Sequence, residues 1–180
     1  MAGKLLIVVD TSYWYELFEI PMKRSSKEKH LAIKKKFAWA FEQNATLYFP
    51  LPCVYELANH IAHVGDGNKR RDLANRLYKI VKDETLKDET VTDETVTARR
   101  LRITPMPIVV TPACAVNELS VFIEHFKDEY VTQGIGLADA AVIDAARHLK
   151  NPNNQVHIWT LEATIKAREP DEEPAPFVHP

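Results

Sequence analysis

Four acidic residues stand where an α/β chain collects its ligands. Residues 4–12 read KLLIVVDTS, five apolar residues from Leu5 to Val9 running straight into Asp10. An unbroken, β-branched run suits a strand buried on both faces of a parallel sheet, and Asp10 then lies at its carboxyl end, where open α/β sheets bind ligands. Two uses of Asp10 stay open on this pattern: a cap for the next helix, or a carboxylate facing the crevice. Ser12 is a second candidate cap, and Thr11 can turn its hydroxyl to the crevice. Glu56 follows a short strand at 46–51 (TLYFPL) and sits in the first turn of a helix that Pro52 opens. It either answers the helix dipole or faces the same crevice. Asp139 enters an almost wholly apolar helix, LADAAVIDAARHL over 137–149. A charge there is costly without a cationic receiver, and a metal ion is the obvious one. Asp144 turns well away from Asp139 and reads as a supporting or structural group. Glu162 follows a last buried strand, VHIWT over 156–160.

The elements that must position these residues alternate along the chain. Residues 13–20 form an aromatic helix stopped by Pro21, and residues 29–44 an amphipathic helix with Leu31, Ile33, Phe37, Ala40 and Phe41 on one face and Lys34, Lys35 and Lys36 on the other. Glu56, His60 and His63 share a helix face at four- and three-residue steps, but no Cys or third His is placed to complete a zinc site. Lys69, Arg70 and Arg71 open a helix reaching about residue 82, as a solvated helix start or a phosphate-contacting patch. Residues 82–100 repeat KDETL, KDETV and TDETV at a period of five, which keeps neither a helix face nor a strand face, so this segment reads as an inserted acidic loop. A third strand at 108–111 and a helix at 117–130, with Leu119, Phe122, Ile123 and Phe126 on one side, resume the pattern. Strands alternating with helices throughout predict an α/β fold with a parallel sheet and right-handed crossovers.

Composition narrows the function classes. At 180 residues and 46% hydrophobic, the chain can bury one core, and residues 1–168 read as a single domain followed by a Pro-rich acidic tail, 169–180, disordered or draped on the surface. No membrane span and no leader pattern are visible, so the expectation is a cytoplasmic protein without membrane attachment. Cys53 and Cys114 read as buried thiols. A net charge of −2 leaves nucleic-acid binding to local basic patches. No G-x-G-x-x-G, Walker A or G-x-S-x-G sequence occurs, which weighs against dinucleotide, nucleotide-triphosphate and serine-hydrolase chemistry.

The strand into Asp10-Thr11-Ser12, the LPCVYEL segment with Glu56, the GLADAAVIDAA segment with Asp139 and the IWTLE segment with Glu162 together resemble a PIN domain. That is the fold of many small metal-dependent ribonucleases, including VapC-type toxins of toxin–antitoxin pairs. The resemblance spans residues 4–168 and departs from the family at Glu162, commonly aspartate, and at the five-residue repeats. It implies a three-layer α/β/α fold with a central, mostly parallel sheet, and hydrolysis of RNA phosphodiester bonds. Asp10, Glu56, Asp139 and Glu162 are then the catalytic and metal-binding carboxylates, holding Mg²⁺ or Mn²⁺ that activates water. Thr11, Ser12 and Thr160 become accessory groups on the ligands or the scissile phosphate. Single-stranded or looped RNA would be held by Lys69, Arg70 and Arg71, with residues 34–36 and Arg99, Arg100 and Arg102 as further contacts. Possible partners are an antitoxin reaching an arginine into the crevice, and a second copy docked on the aromatic helix of Tyr13, Trp14, Tyr15 and Phe18. The competing readings are a PIN-like RNA- or protein-binding module that has lost catalysis, and a phosphatase or other metal hydrolase on a similar scaffold.

Overall fold

The protein is described by a computed structural model at residues 3–21, 26–83, 85–86, 106–111 and 119–174. Strands β1 (Lys4–Val9), β2 (Thr46–Pro50), β4 (Met106–Thr111) and β5 (Asn154–Trp159) form an all-parallel sheet, and β3 (Thr85–Leu86) adds an antiparallel edge. Helices α1 (Thr11–Leu17), α2 (Lys27–Glu42), α3 (Leu51–Ala62), α4 (Gly67–Asp83), α5 (Leu119–His125), α6 (Leu137–Leu149) and α7 (Ala163–Lys166) flank it in a three-layer α/β/α arrangement. Among the described residues, no helix is long and apolar enough to cross a membrane.

The strand order is β3-β4-β2-β1-β5. The chain builds outward from β1 through β2 to β4, then returns to place β5 on the other side of β1. That reversal makes the β1/β5 boundary a topological switch point, the place where open α/β sheets bind ligands beyond the strands' carboxyl ends. Leu6, Ile7, Val8 and Val9 are all buried, as a strand covered on both faces requires.

Four expectations are corrected by the packing. Tyr13, Trp14, Tyr15 and Phe18 are core residues and offer no dimer face: Trp14 stacks on Phe49 at 4.4 Å, and Tyr13 on Trp159 at 5.7 Å. A seven-residue helix wedged between α2, α3 and the sheet has no free side to spare its aromatic groups. Lys36 does not share the solvated face expected of residues 34–36; it is buried and its Nζ donates to Glu173 at 2.9 Å. The insertion at 82–100 is not all loop, since Thr85 and Leu86 pair with Pro107 and Met106; the remaining repeats, Arg99, Arg100, Arg102 and Cys114 lie outside the described residues. The helix expected over 117–130 is α5 followed by a π-helical turn, Phe126–Tyr130. Phe122 and Tyr130 go inward while Leu119 and Ile123 are exposed. Leu137, at the start of the apolar helix α6, is exposed as well.

Candidate active site

β1 delivers Asp10 to the switch point. Its side chain caps α1, accepting from the Thr11 N–H at 2.6 Å through Oδ1 and from the Ser12 N–H at 3.4 Å through Oδ2. Of the two uses left open by the sequence, the cap is the one these bonds show, and the group lies at the end of β1 beside β5. Oδ2 also accepts from Ser12 Oγ at 2.6 Å and Thr160 Oγ1 at 2.9 Å. These two hydroxyls are used twice, since Leu161 N–H donates to Ser12 Oγ and Glu162 N–H to Thr160 Oγ1, both at 3.0 Å. The start of α1 is thereby tied to the turn after β5. Oδ1, with a single donor, is the oxygen with capacity left for a ligand. Asp10 is 4% exposed, and burial holds its pKa above the ordinary carboxylate value although its four donors pull the other way.

Glu56 reaches the same place from α3, the helix after β2. Thr11 Oγ1 donates to Oε2 at 2.8 Å and Tyr15 Oη to Oε1 at 3.0 Å. Burial and the neighbouring Glu56 carboxylate push the Tyr15 phenol up, so it stays protonated as a donor. Tyr15 is the positioning group that the sequence did not reveal, because an aromatic residue in an apolar helix carries no mark of a polar task. His60 packs edge-on against the Tyr15 ring at 4.8 Å, and His63 Nδ1 contacts the Asn59 carbonyl oxygen at 2.7 Å, so both histidines have roles within α3 and its surroundings. Cys53 is buried, and burial with the Asp10 charge pushes its thiol up, which keeps it from acting as a thiolate.

Asp139 lies in the first turn of α6, half-buried, with a backbone hydrogen bond from Gly136. A Cβ at Gly136 would come within 3.3 Å of Asp139 Oδ2, so the glycine makes room for this carboxylate. The Asp139 pKa is pushed up to about 6, first by burial and then by the charges of Asp10, Glu56 and Glu162. Asp10, Glu56 and Glu162 thus all lie within electrostatic reach of Asp139. Glu162, exposed, precedes α7 and caps it with no side-chain bond. Asp144 is held apart in a structural network, accepting from Tyr130 Oη at 2.5 Å and facing His125 Nδ1 at 3.4 Å.

Among the described residues, no three His, Cys, Asp or Glu side chains are gathered closely enough to hold an ion as they stand. The donor set nevertheless fits a hard divalent cation: carboxylate oxygens, one pair fixed by hydroxyls, with mutual repulsion that only a positive charge relieves. Full approach without that charge is opposed by the same repulsion that raises Asp139. The basic cluster is placed less tellingly. Lys69, Arg70 and Arg71 are exposed at the start of α4, whose amides Asp66 caps, and Arg70 Nη1 donates to the Val64 carbonyl at 2.9 Å. Among the described residues, no hydrogen bond or ion pair links these three to the four carboxylates.

The strand order defines a parallel α/β protein whose topological switch point lies beside Asp10. No family model and no curated protein matches the chain.

Proposed function

We propose that the chain is a divalent-metal-dependent ribonuclease that hydrolyses RNA phosphodiester bonds at the Asp10, Glu56, Asp139 and Glu162 crevice. The observation that supports this most is that one residue, Thr11, joins two carboxylates 46 residues apart, its N–H donating to Asp10 at 2.6 Å and its hydroxyl to Glu56 at 2.8 Å, with Asp139 close enough to feel both charges. Among the described residues no ion pair neutralises these carboxylates, and carboxylates brought towards a ligand-binding edge without one are a cost to the fold that a bound cation would offset. Mg²⁺ or Mn²⁺, when bound, would neutralise phosphate charge and activate water for attack on phosphorus.

The chain's own residues have separable tasks in this reading. Asp10, Glu56 and Asp139 supply ligand oxygens, and Glu162 closes the site from the exposed side. Thr11 and Tyr15 fix both oxygens of Glu56, and Ser12 and Thr160 orient Asp10, so the oxygen pairs are set before a cation arrives. Lys69, Arg70 and Arg71 would hold the RNA through its phosphates. If the chain is the toxin of a toxin–antitoxin pair, an arginine of the antitoxin placed among these carboxylates would replace the cation's charge and inhibit.

A second reading, an RNA- or protein-binding module without catalysis, is favoured by the lack, among the described residues, of three acidic groups placed to hold an ion. One assay separates them. Purified protein is incubated with labelled RNA and Mg²⁺ or Mn²⁺, beside Asp10→Ala and EDTA controls. Cleavage abolished by either control supports the nuclease. RNA binding without cleavage, unchanged by the substitution, supports the module, and hydrolysis of a small phosphomonoester with RNA left intact supports a phosphatase.

A further inference from the structure

Nothing in the proposed chemistry uses residues beyond Glu162, yet residues 169–174 turn back along the open edge of β5. Alternate residues of that strand point their backbone groups outward. The Val156 N–H donates to Asp171 Oδ2 and the Ile158 N–H to Glu169 Oε1, both at 2.8 Å. Lysines answer the carbonyls, Lys150 Nζ donating to Asn154 O at 3.2 Å and Lys166 Nζ to Ile158 O at 3.0 Å. Ionic side chains close this sheet edge in place of a neighbouring strand.

The segment ends in a buried carboxylate. Glu173 is 7% exposed; its Oε1 accepts from Trp159 Nε1 at 2.8 Å, and its Oε2 from Lys36 Nζ at 2.9 Å and Lys166 Nζ at 3.0 Å. A carboxylate removed from water is tolerated only when fully paired, so these three donors hold it in one geometry. Trp159 is the last residue of β5, stacked on Tyr13 and packed edge-on against Phe37 at 5.1 Å. Its carbonyl accepts the Asp10 N–H at 2.9 Å, and the next residue's hydroxyl, on Thr160, donates to Asp10. A continuous path therefore runs from Glu173 through the Trp159 indole to Asp10 and to the turn tied down by Ser12.

We propose that Glu173 is a positioning residue of the carboxylate crevice, fixing Trp159 and through it residues 160–162 against Asp10 and Ser12. Apart from two prolines, residues 169–174 are all acidic, so the segment docks by its carboxylates, and loss of one pairing loosens the strand end it holds. Only the metal-affinity readout below rests on the nuclease reading.

Full-length Glu173→Gln is compared with wild type and with Glu172→Gln, an exposed neighbour. Backbone amide exchange is measured without metal at Asp10, Leu161 and Glu162, with Val8 as a core reference. The expected result is exchange about tenfold faster at those three amides in Glu173→Gln alone, with Val8 unchanged. Mn²⁺ affinity by calorimetry is expected to fall about tenfold in the same variant. Wild-type exchange at all three amides overturns the inference, whatever the metal result. If Glu173→Gln loses the fold, seen as Val8 exchanging with the rest, Trp159→Phe replaces it. That variant keeps an aromatic ring at the position and removes the indole N–H that Glu173 holds; the same three amides must speed up, or the inference falls. Wild-type protein that binds no Mn²⁺ counts against the nuclease reading and leaves the exchange comparison to decide the role of Glu173.

Discussion

Replacing Asp139 with asparagine should stabilise the metal-free protein. The folded environment holds this carboxyl at about 6 against an ordinary 3.8, so at neutral pH the fold carries a charge it disfavours. A rise of about 2 in pKa corresponds to about 3 kcal/mol at about 1.36 kcal/mol per pH unit. Because the side chain is only half-buried, solvent screening reduces that to about 1–2 kcal/mol. Asparagine is nearly the same shape and can still accept the Gly136 hydrogen bond, so the substitution removes charge and little else. The sign follows from proton linkage: a raised carboxyl binds more protons folded than unfolded between pH 3.8 and about 6, and wild-type stability falls as pH rises through that window. The gain from Asp139→Asn should therefore be absent below pH 3.8 and complete above about 6. For a domain of this size, 1–2 kcal/mol is a rise in Tm of roughly 3–6 °C. Calorimetric melting of both proteins in EDTA, from acid to neutral pH, makes the measurement. An equal or lower Tm for the variant at neutral pH, or an advantage that grows towards acid, would refute the reasoning.

Three further outcomes are expected. Mn²⁺ at a hundred times its Kd should stabilise the wild type by about 2.7 kcal/mol in thermal melts, and Asp10→Asn should remove the effect; an equal shift in both places the ion elsewhere. Tyr15→Phe frees Glu56 Oε1 and should weaken Mn²⁺ binding about tenfold in calorimetry with the fold retained; unchanged affinity would leave Thr11 as the sole support that matters. Gly136→Ala puts a methyl group against Asp139 Oδ2, and RNA cleavage should slow about tenfold with little change in Tm, a split that a purely structural glycine would not produce.

The candidate site was legible in the sequence to the extent that local pattern encodes it. A strand of five apolar residues ending in aspartate, and an acidic residue opening an alanine-rich helix, are each written within a dozen positions. Tyr15, Lys36 and Glu173 were not legible, for a common reason. Each is a residue type whose ordinary place is elsewhere, an aromatic group in a core, a lysine in water, a glutamate in an acidic tail. Its task here is set by a partner far along the chain: Glu56 for Tyr15, and Lys36 with Glu173 for each other, the two standing 137 residues apart. The exposed Leu119 and Ile123 show the opposite limit: apolar spacing groups them with Phe122, and the packing of α5 buries Phe122 alone of the three.

By itself the sequence determined the α/β alternation, the four parallel strands and the acidic residues at their carboxyl ends, since periodicity and strand-end chemistry depend on neighbours a few residues away. Tertiary structure alone decided the strand order that puts β5 beside β1, and with it the meeting of Thr160 with Asp10 and the return of residues 169–174 to the sheet edge. Which strand lies beside which is fixed by the burial of whole faces and the closure of long connections, and no local stretch of residues carries that information.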